Sequence, residues 1–290
     1  MGIINYQKRL AGVFLDKPER VIDFPDWMLS GQQIDAYRQM ENPAIVEIAG
    51  RDSVAAAIKS VGENGFTDLL PVYAYTGTEY GAWRSVEQAV KRLSARLPKV
   101  RIHPLIVVGS PDFWRALNGR YISELISRYN FFSPCPGCHL YLHVIRVPLA
   151  KMLGNIPIIS GERELHSGQV KINQTGEALD FYLDVAARFN IRLLFPLRYI
   201  EQSKEVEDIL QIPWERDKDQ LECVFSGNYR LCDGSVSPSL KDVNRFFVEF
   251  AIPAAEEIVE EYIKGNIPDF MGISRSVLDR NASDLNRNSD

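Results

Sequence analysis

The fold class is decided by one stretch, Ala44-Ile45-Val46-Glu47-Ile48-Ala49-Gly50-Arg51-Asp52-Ser53-Val54-Ala55-Ala56-Ala57-Ile58. It starts with β-branched residues, which favour a strand, and ends with alanines, which favour a helix. Ala49 and Gly50 leave room for a ligand to approach the backbone, and Asp52 or Ser53 can cap the helix. The free N–H groups of such a helix terminus favour an anion such as phosphate. An ordinary strand-to-helix turn would have the same pattern, so both interpretations stay open here.

Strands and helices alternate along the next part of the chain. Apolar strands are predicted over 69–75, 100–108, 156–159 and 191–194, with helices over 83–97, 111–129, 140–153 and 176–189. Such alternation predicts a doubly wound α/β fold with a five-stranded parallel sheet. Polar turns follow three strand ends, at 49–53, 76–81 and 109–112. Because parallel strands end at one edge of the sheet, these turns can converge on one ligand.

Three regions are expected along the chain. Residues 1–43 are mixed in character and form an N-terminal extension, and residues 44–210 form the nucleotide-binding α/β domain. Residues 211–290 form a C-terminal segment that is irregular up to 240 and then helical over 243–263, where Pro253 breaks or bends the helix. The tail from Ser274 is rich in polar residues, which predicts a solvated or disordered end.

The composition is that of a globular protein with a large core. The 290 residues are 46% hydrophobic and 24% charged, and the formal net charge of -5 argues against a general nucleic-acid binder. Positive residues cluster from 84 to 101, and the simpler interpretation is the solvated side of a helix. We find no transmembrane run and no signal peptide, so we expect a cytoplasmic protein without a membrane partner.

The loop after the first strand resembles the PP-loop of ATP pyrophosphatases, which usually has the form Ser-Gly-Gly-x-Asp-Ser. Gly50, Asp52 and Ser53 match that pattern, whereas Ile48 and Ala49 replace its first two residues. Two later segments, Tyr75-Thr76-Gly77-Thr78-Glu79-Tyr80 and Ser160-Gly161-Glu162-Arg163, resemble elements of the phosphoadenylylsulfate-reductase branch of the same superfamily. The resemblance covers residues 44–210 in the right order.

This resemblance implies an adenine-nucleotide α-hydrolase-like fold that binds ATP and Mg²⁺. It assigns catalytic roles to Asp52, Ser53 and Arg163, where Ser53 donates to a phosphate oxygen and Arg163 neutralises charge during nucleotidyl transfer. Asp52 is either a plain helix cap or a group that holds Mg²⁺ through water. The implied nucleotide-binding residues are Ala49, Gly50, Arg51, Asp52, Ser53, Thr76, Gly77, Glu79, Gly161 and Arg163. Glu79 is either a metal or substrate contact or a solvated turn residue.

Four cysteines suggest a metal site. Cys135 and Cys138 have the C-x₂-C spacing that presents two thiolates to one metal, and Cys223 and Cys232 supply two more. The alternatives are a four-thiolate zinc site, an iron–sulfur cluster such as [4Fe–4S] held by all four or by three, and a redox or persulfide-carrying pair. Some of the cysteines can also be buried without a function.

The leading functional hypothesis is an ATP-dependent enzyme that adenylylates a substrate and releases pyrophosphate. Thiolates near the loop make sulfur transfer the favoured second step, to a small molecule or a tRNA. One alternative is a thiol-dependent reductase acting on an adenylylated sulfur compound. The other is a non-catalytic nucleotide-binding module, to which the altered residues Ile48 and Ala49 point. A homodimer is possible in each case.

Overall fold

The computed structural model describes residues 21–22, 29–215 and 219–287, so most of the predicted N-terminal extension lies outside the described residues. Nine strands are described: β1 Val21–Ile22, β2 Pro43–Glu47, β3 Asp68–Tyr75, β4 Glu79–Tyr80, β5 Arg101–Ile102, β6 Ile106–Gly109, β7 Ile158–Ile159, β8 Leu193–Leu194 and β9 Glu222–Cys223. They alternate with helices in the first two thirds of the chain, which confirms the predicted α/β class.

The helices of the described residues fall into two groups. Those of the first half are α1 Gly31–Arg38, α2 Arg51–Asn64, α3 Arg84–Arg96, α4 Pro111–Asn118, α5 Ile122–Tyr129, α6 Cys135–Val144 and α7 Val147–Met152. Those of the second half are α8 Gly176–Arg188, α9 Ser203–Leu210, α10 Leu240–Phe246, a π-helix Phe247–Ala251, α11 Ile252–Ile263 and α12 Phe270–Arg287. None of the described helices is both long enough and apolar enough to span a bilayer.

The central sheet has seven strands in the order β1-β6-β3-β2-β7-β8, with β5 beside β3. Every pairing in this sheet is parallel. From β2 the chain proceeds outward on one side through β3 to β5 and β6, and then returns to place β7 on the other side of β2. The strand order therefore reverses between β2 and β7, and ligands of open α/β sheets bind at such a switch point.

The prediction of five strands is corrected in two places. β1 adds an edge strand next to β6, with Val21 opposite Val107. The predicted third strand is divided into β5 and β6, because His103-Pro104-Leu105 interrupts it and proline cannot donate to the ladder. The other predicted strands are present, although β7 and β8 are only two residues long each.

Both faces of the sheet are buried, as a doubly wound fold requires. Successive residues of β2 point to opposite faces: Ala44 and Val46 join the core under α2, α3 and α9, and Ile45 joins the core under the remaining helices. All eight residues of β3 are buried. This explains why its sequence is a nearly continuous apolar run rather than an alternating one.

One helix prediction is confirmed and two are corrected. The helix predicted over 111–129, with Gly119 as an interruption, is divided at Gly119 into α4 and α5. The helix after the first cysteine pair begins at Cys135 instead of Leu140, because Pro136 is favourable in a first helical turn. The predicted helix over 243–263 contains a π-helical turn, and Pro253 lies in the first turn of α11 that follows it.

The C-terminal tail is helical where we expected a solvated or disordered end. In α12, Ser274, Val277 and Leu278 are at most 1% exposed, and Ser274 Oγ donates to the carbonyl of Ala116 at 3.1 Å. The polar composition misled the prediction, since only one face of this helix needs apolar or small residues to pack.

Candidate functional site

The loop after β2 forms the predicted strand-to-helix connection. Its cap is Gly50, not Asp52 or Ser53 as predicted, and α2 begins at Arg51. Gly50 has no side chain to satisfy the first amides of α2. Ser53 stabilises the loop itself: its Oγ accepts from the N–H groups of Ala49 at 3.0 Å and Gly50 at 3.1 Å, and donates to the Gly50 carbonyl at 2.7 Å.

Asp52 lies between two guanidinium groups. Arg51 Nε donates to one carboxylate oxygen at 2.8 Å, and Arg163 Nε donates to the other at 3.0 Å. Arg163 is 7% exposed, and its Nη1 donates to the carbonyls of Ile200 and Glu201 at 3.3 Å. These contacts join the loops after β2 and β7 across the switch point. They concentrate positive charge beside the open end of α2, where a phosphate would be stabilised.

Gly161 makes the closest contact between the same two loops. A Cβ atom at this position would lie 2.6 Å from the carbonyl carbon of Asp52 and 2.6 Å from the nitrogen of Ser53. Both neighbours are backbone atoms of the first turn of α2, which cannot move aside as a flexible side chain would. Glycine is therefore required here by the close approach of two backbones.

The turn after β3 is built differently. The carboxylate of Glu79 accepts from the backbone N–H groups of Thr76 at 2.8 Å, Gly77 at 2.8 Å and Thr78 at 2.9 Å, and from the hydroxyl of Tyr73 at 3.2 Å. The amides of this turn are thus already occupied by an anion of the chain itself. A direct contact of Thr76, Gly77 or Glu79 with a nucleotide stays a prediction.

Two of the four thiols, Cys138 and Cys223, interact with this turn, and Cys135 lies near Cys223. Cys223 Sγ is 3.2 Å from the hydroxyl of Thr78, and β9 places it opposite Glu79 in an antiparallel pair. Cys135 Sγ donates to the carbonyl of Phe225 at 3.5 Å. Burial raises the pKa of Cys138 well above its ordinary value, and negative charge on Cys223, Glu79 and Cys135 raises it further. Burial likewise raises the pKa of Cys135.

Cys232 differs from the other three because it is exposed. Within residues 21–22, 29–215 and 219–287, no three His, Cys, Asp or Glu side chains are grouped so that they could hold a metal ion. The predicted four-thiolate zinc site is therefore not formed in this structure. The charge on Cys223 acts on both Cys135 and Cys138, so these three thiols lie in one neighbourhood.

A buried charged network joins α6 to the ends of β2 and β7. Glu162 Oε1 is 2.7 Å from His139 Nδ1 and 3.7 Å from His143 Nε2, and the other carboxylate oxygen accepts from Gln174. Glu47, the last residue of β2, is 2.8 Å from His143 Nδ1. Although burial disfavours the charge, His139 and His143 lower the pKa of Glu162 to about 2. Glu162 is therefore ionised at neutral pH.

Comparison with known proteins places the chain in a family. No protein-family model matches it. It is 41% identical over 242 residues to uncharacterized protein MJ0009 of Methanocaldococcus jannaschii, a match that covers 81% of this chain and 86% of that protein. The chain belongs to the MJ0009 family.

Two solved structures match the chain weakly. A predicted subunit of tRNA methyltransferase from M. jannaschii matches with a TM-score of 0.35 and 14% identity, over 59% of this chain and 74% of that one. The U34-tRNA thiolase NcsA from Methanococcus maripaludis with its [4Fe-4S] cluster matches with a TM-score of 0.38 and 13% identity, over 85% of this chain and 79% of that one. These scores are too low to transfer either protein's activity. The phosphoadenylylsulfate-reductase branch also stays a prediction.

Sequence reasoning missed one contact of this MJ0009-family site entirely. A Cβ on Gly50 would lie 2.8 Å from Gln220 Oε1 and 3.0 Å from Gln220 Cβ, so the side chain of Gln220 packs on the loop after β2. Asp219 beside it is 3.0 Å from Arg92 Nη2, and Cys223 follows three residues later. One short segment thus covers the loop and supplies a thiol. Nothing in the irregular composition of residues 211–240 indicated this.

The network residues Glu47, His143 and Glu162 were also missed as a group. Two features of the sequence could have indicated it. His139 and His143 lie four residues apart and so share one helix face, and Glu162 lies in the segment 160–163 that resembles a family motif. His166, which sequence analysis did not assign, is half-buried near Arg163 and Lys171. Burial and these two cations lower its pKa to about 4, so His166 is neutral at neutral pH.

Proposed function

We propose that this protein is an ATP-dependent enzyme of the PP-loop type, with its nucleotide at the switch point between β2 and β7. The observation that carries the proposal is the 3.0 Å ion pair between Arg163 and Asp52, which joins the two loops that flank this point. An α/β sheet offers its ligand site at such a position. The uncapped first turn of α2 and two arginines supply the donors that a polyphosphate needs.

The residues of the loop suit nucleotidyl transfer. Arg51 and Arg163 are placed to stabilise charge on the phosphates, and Asp52, held by both, is placed to orient them or to bind Mg²⁺ through water. Ser53 fixes the loop backbone by its three hydrogen bonds. The reaction we assign is adenylylation of an acceptor with release of pyrophosphate, in which the protein contributes positioning and charge stabilisation.

We further propose that Cys135, Cys138 and Cys223 hold a [4Fe–4S] cluster and that the adenylylated acceptor receives sulfide, with AMP leaving as its C–O bond breaks and the C–S bond forms. The assignment is supported by three neighbouring thiols, since the charge on Cys223 acts on both Cys135 and Cys138, whereas Cys232 is exposed. Three thiolates can hold a cluster with one open iron. Such a cluster would supply an iron able to carry the sulfur that is transferred. The chain's own part is to hold it: Thr78 contacts Cys223, and the first turn of α6 presents Cys135 and Cys138.

The test measures ATP binding by calorimetry and pyrophosphate release with Mg²⁺, using bulk RNA and a metabolite extract as separate acceptor pools. We expect Asp52→Ala and Ser53→Ala each to lower pyrophosphate release at least about 100-fold, because Asp52 holds both arginines and Ser53 holds the loop on which the phosphates would bind. Asp112→Ala is the matched control, because Asp112 also lies in the first turn of a helix beside an arginine but is exposed.

Three results would contradict the proposal. Full activity in both Asp52→Ala and Ser53→Ala would refute the site. ATP that binds and is recovered unchanged in the presence of both acceptor pools would instead support a non-catalytic nucleotide-binding module. Thiol-dependent turnover without ATP consumption would support the reductase alternative.

A further inference from the structure

Two consecutive residues of the loop after β7 bind different parts of the molecule. Arg163 binds Asp52 in the first turn of α2, on the nucleotide side. Glu162 binds His139 of α6, the residue that follows Cys138. Both side chains are nearly inaccessible, with Glu162 at 6% and Arg163 at 7% exposure. The loop therefore lies between the two halves of the site and contacts each through a charged side chain.

The attachment of α6 to this loop is extensive. Glu162 accepts from Gln174 and also lies 3.7 Å from His143 Nε2, one helical turn beyond His139. The carboxylate of Glu47 is hydrogen-bonded to Nδ1, the other ring nitrogen of His143. The same Glu47 carboxylate lies 3.4 Å from Arg146 Nη1. Removing the partner of a buried charge destabilises a protein much more than removing the partner of an exposed charge. If Glu162 moves, α6 should therefore move with it, because solvent cannot replace the buried partners.

We propose that Glu162 is a positioning residue that transmits nucleotide occupancy from Arg163 and Asp52 to the cysteine helix α6. This inference rests on the proposed function, because it requires a nucleotide beside Arg163. It assigns to Glu162 no contact with the nucleotide or with a metal. Its effect is to fix His139, and through it the first turn of α6 that contains Cys135 and Cys138.

Hydrogen–deuterium exchange of residues 135–146 in the full-length protein, with and without ATP and Mg²⁺, tests the proposal whatever metal is bound. In the unmodified protein we expect ATP to slow exchange in this segment about fivefold, the lower end of usual coupling between sites. Glu162→Gln should bind ATP with an affinity within about threefold of the unmodified protein, yet lose most of that slowing. Thermal unfolding checks that the variant is folded.

Glu164→Gln is the matched control. Glu164 lies two residues further along the same loop, and its carboxylate accepts from Arg198 Nε at 2.8 Å instead of binding α6. This variant should keep the ATP-dependent slowing. His139→Gln removes the other partner of the hydrogen bond between Glu162 and His139, so it should also lose the ATP-dependent slowing. If Glu162→Gln does not fold, His139→Gln alone tests the proposal.

The outcomes separate the inference from the function. If ATP binds and exchange in residues 135–146 does not change, or if both variants retain the slowing, the inference is wrong and the proposed function stands. If Glu162→Gln and His139→Gln both fold but no longer bind ATP, Glu162 belongs to the nucleotide site itself and the inference is again wrong. If the unmodified protein does not bind ATP, the proposed function fails and the inference fails with it.

Discussion

The loops after β2 and β3 look alike in sequence but differ in what they offer a ligand. Both follow buried parallel strands, both contain glycine, and both carry an acidic residue close behind it. In the first loop the helix cap is Gly50, and the acidic residue Asp52 turns towards Arg163. In the second, Glu79 occupies three amides of its own turn. An acidic residue at a strand end can therefore either complete an anion site or fill one.

The two loops consequently belong to different halves of the proposed site. The first, backed by Gly161, belongs to the proposed nucleotide half. The second belongs to the thiol half, since Thr78 contacts Cys223 and the charge of Glu79 acts on Cys138. Apart from the ATP-dependent exchange of α6 that we assign to Glu162, substitutions in one half should leave the ligand bound by the other half nearly unchanged, and the following predictions test that separation.

Gly161→Ala should have the largest effect. The added methyl group meets backbone atoms at 2.6 Å, so we expect the free energy of unfolding to fall by about 3 kcal/mol, the upper range for overpacking. The ATP dissociation constant should rise about 100-fold, and iron content should not change. Calorimetry, thermal unfolding and metal analysis measure these quantities. Gly62→Ala is the control, because Gly62 lies in α2 with open space around it; an equal loss there would contradict the explanation.

Acid should destabilise the protein through Glu162. Its pKa in the folded state is about 2, below the ordinary 4.5, so its ionised form stabilises the fold above about pH 5. This stabilisation is lost as the pH falls from about 5 to about 2, and it amounts to up to about 3 kcal/mol. Denaturant unfolding between pH 7 and pH 3 measures it. Glu162→Gln should reduce the loss of unfolding free energy between pH 7 and pH 3. If that loss is unchanged in the variant, other groups cause it.

Glu79→Gln should produce a smaller loss, confined to the thiol half. An amide has one acceptor oxygen and would direct its NH₂ group at backbone donors, so we expect about 2 kcal/mol of lost stability and reduced iron content. ATP affinity should stay within about threefold of the unmodified value, because Glu79, and not a nucleotide, accepts from the amides of this turn. A large loss of ATP affinity would instead support the prediction from the sequence that Glu79 belongs to the nucleotide site.

Cys232→Ser should have the smallest effect. Cys232 is exposed, whereas the other three thiols are partly buried, so the purified variant should keep its iron, its absorbance and its stability. Cys138→Ser should lose the iron, which anaerobic purification and metal analysis would show. Equal loss of iron in both variants would support a site that uses all four cysteines. Zinc without iron in the unmodified protein would refute the proposed cluster.

The sequence predicted the sheet better than it predicted the site. β-branched runs and alanine-rich helices are local signals, so β2, α2 and β3 were placed almost to the residue. The cap was misassigned, because Asp52 and Ser53 are good caps by type but are engaged by Arg163 and by the loop backbone. Their true partners are set by tertiary contacts that no local pattern contains.

The remaining errors concern contacts between distant parts of the chain. Cys223 and Cys232 were equivalent in sequence, and only the pairing of β9 with β4 separates them. The network of Glu47, His143 and Glu162 joins residues 96 and 115 positions apart along the chain, so its parts looked like isolated polar residues. Localisation, oligomeric state and the three-region division stay predictions.

The packing of Gln220 on Gly50 has a consequence for biosynthesis. The two residues are far apart along the chain, so a ribosome that has synthesised the chain as far as Ile200 has produced the whole loop after β2 but not the side chain that packs on it. Since chains emerge from the N-terminus, this loop is synthesised well before Gln220 and Cys223, which follow each other closely. Completion of the proposed site is therefore tied to the synthesis of residues 219–223.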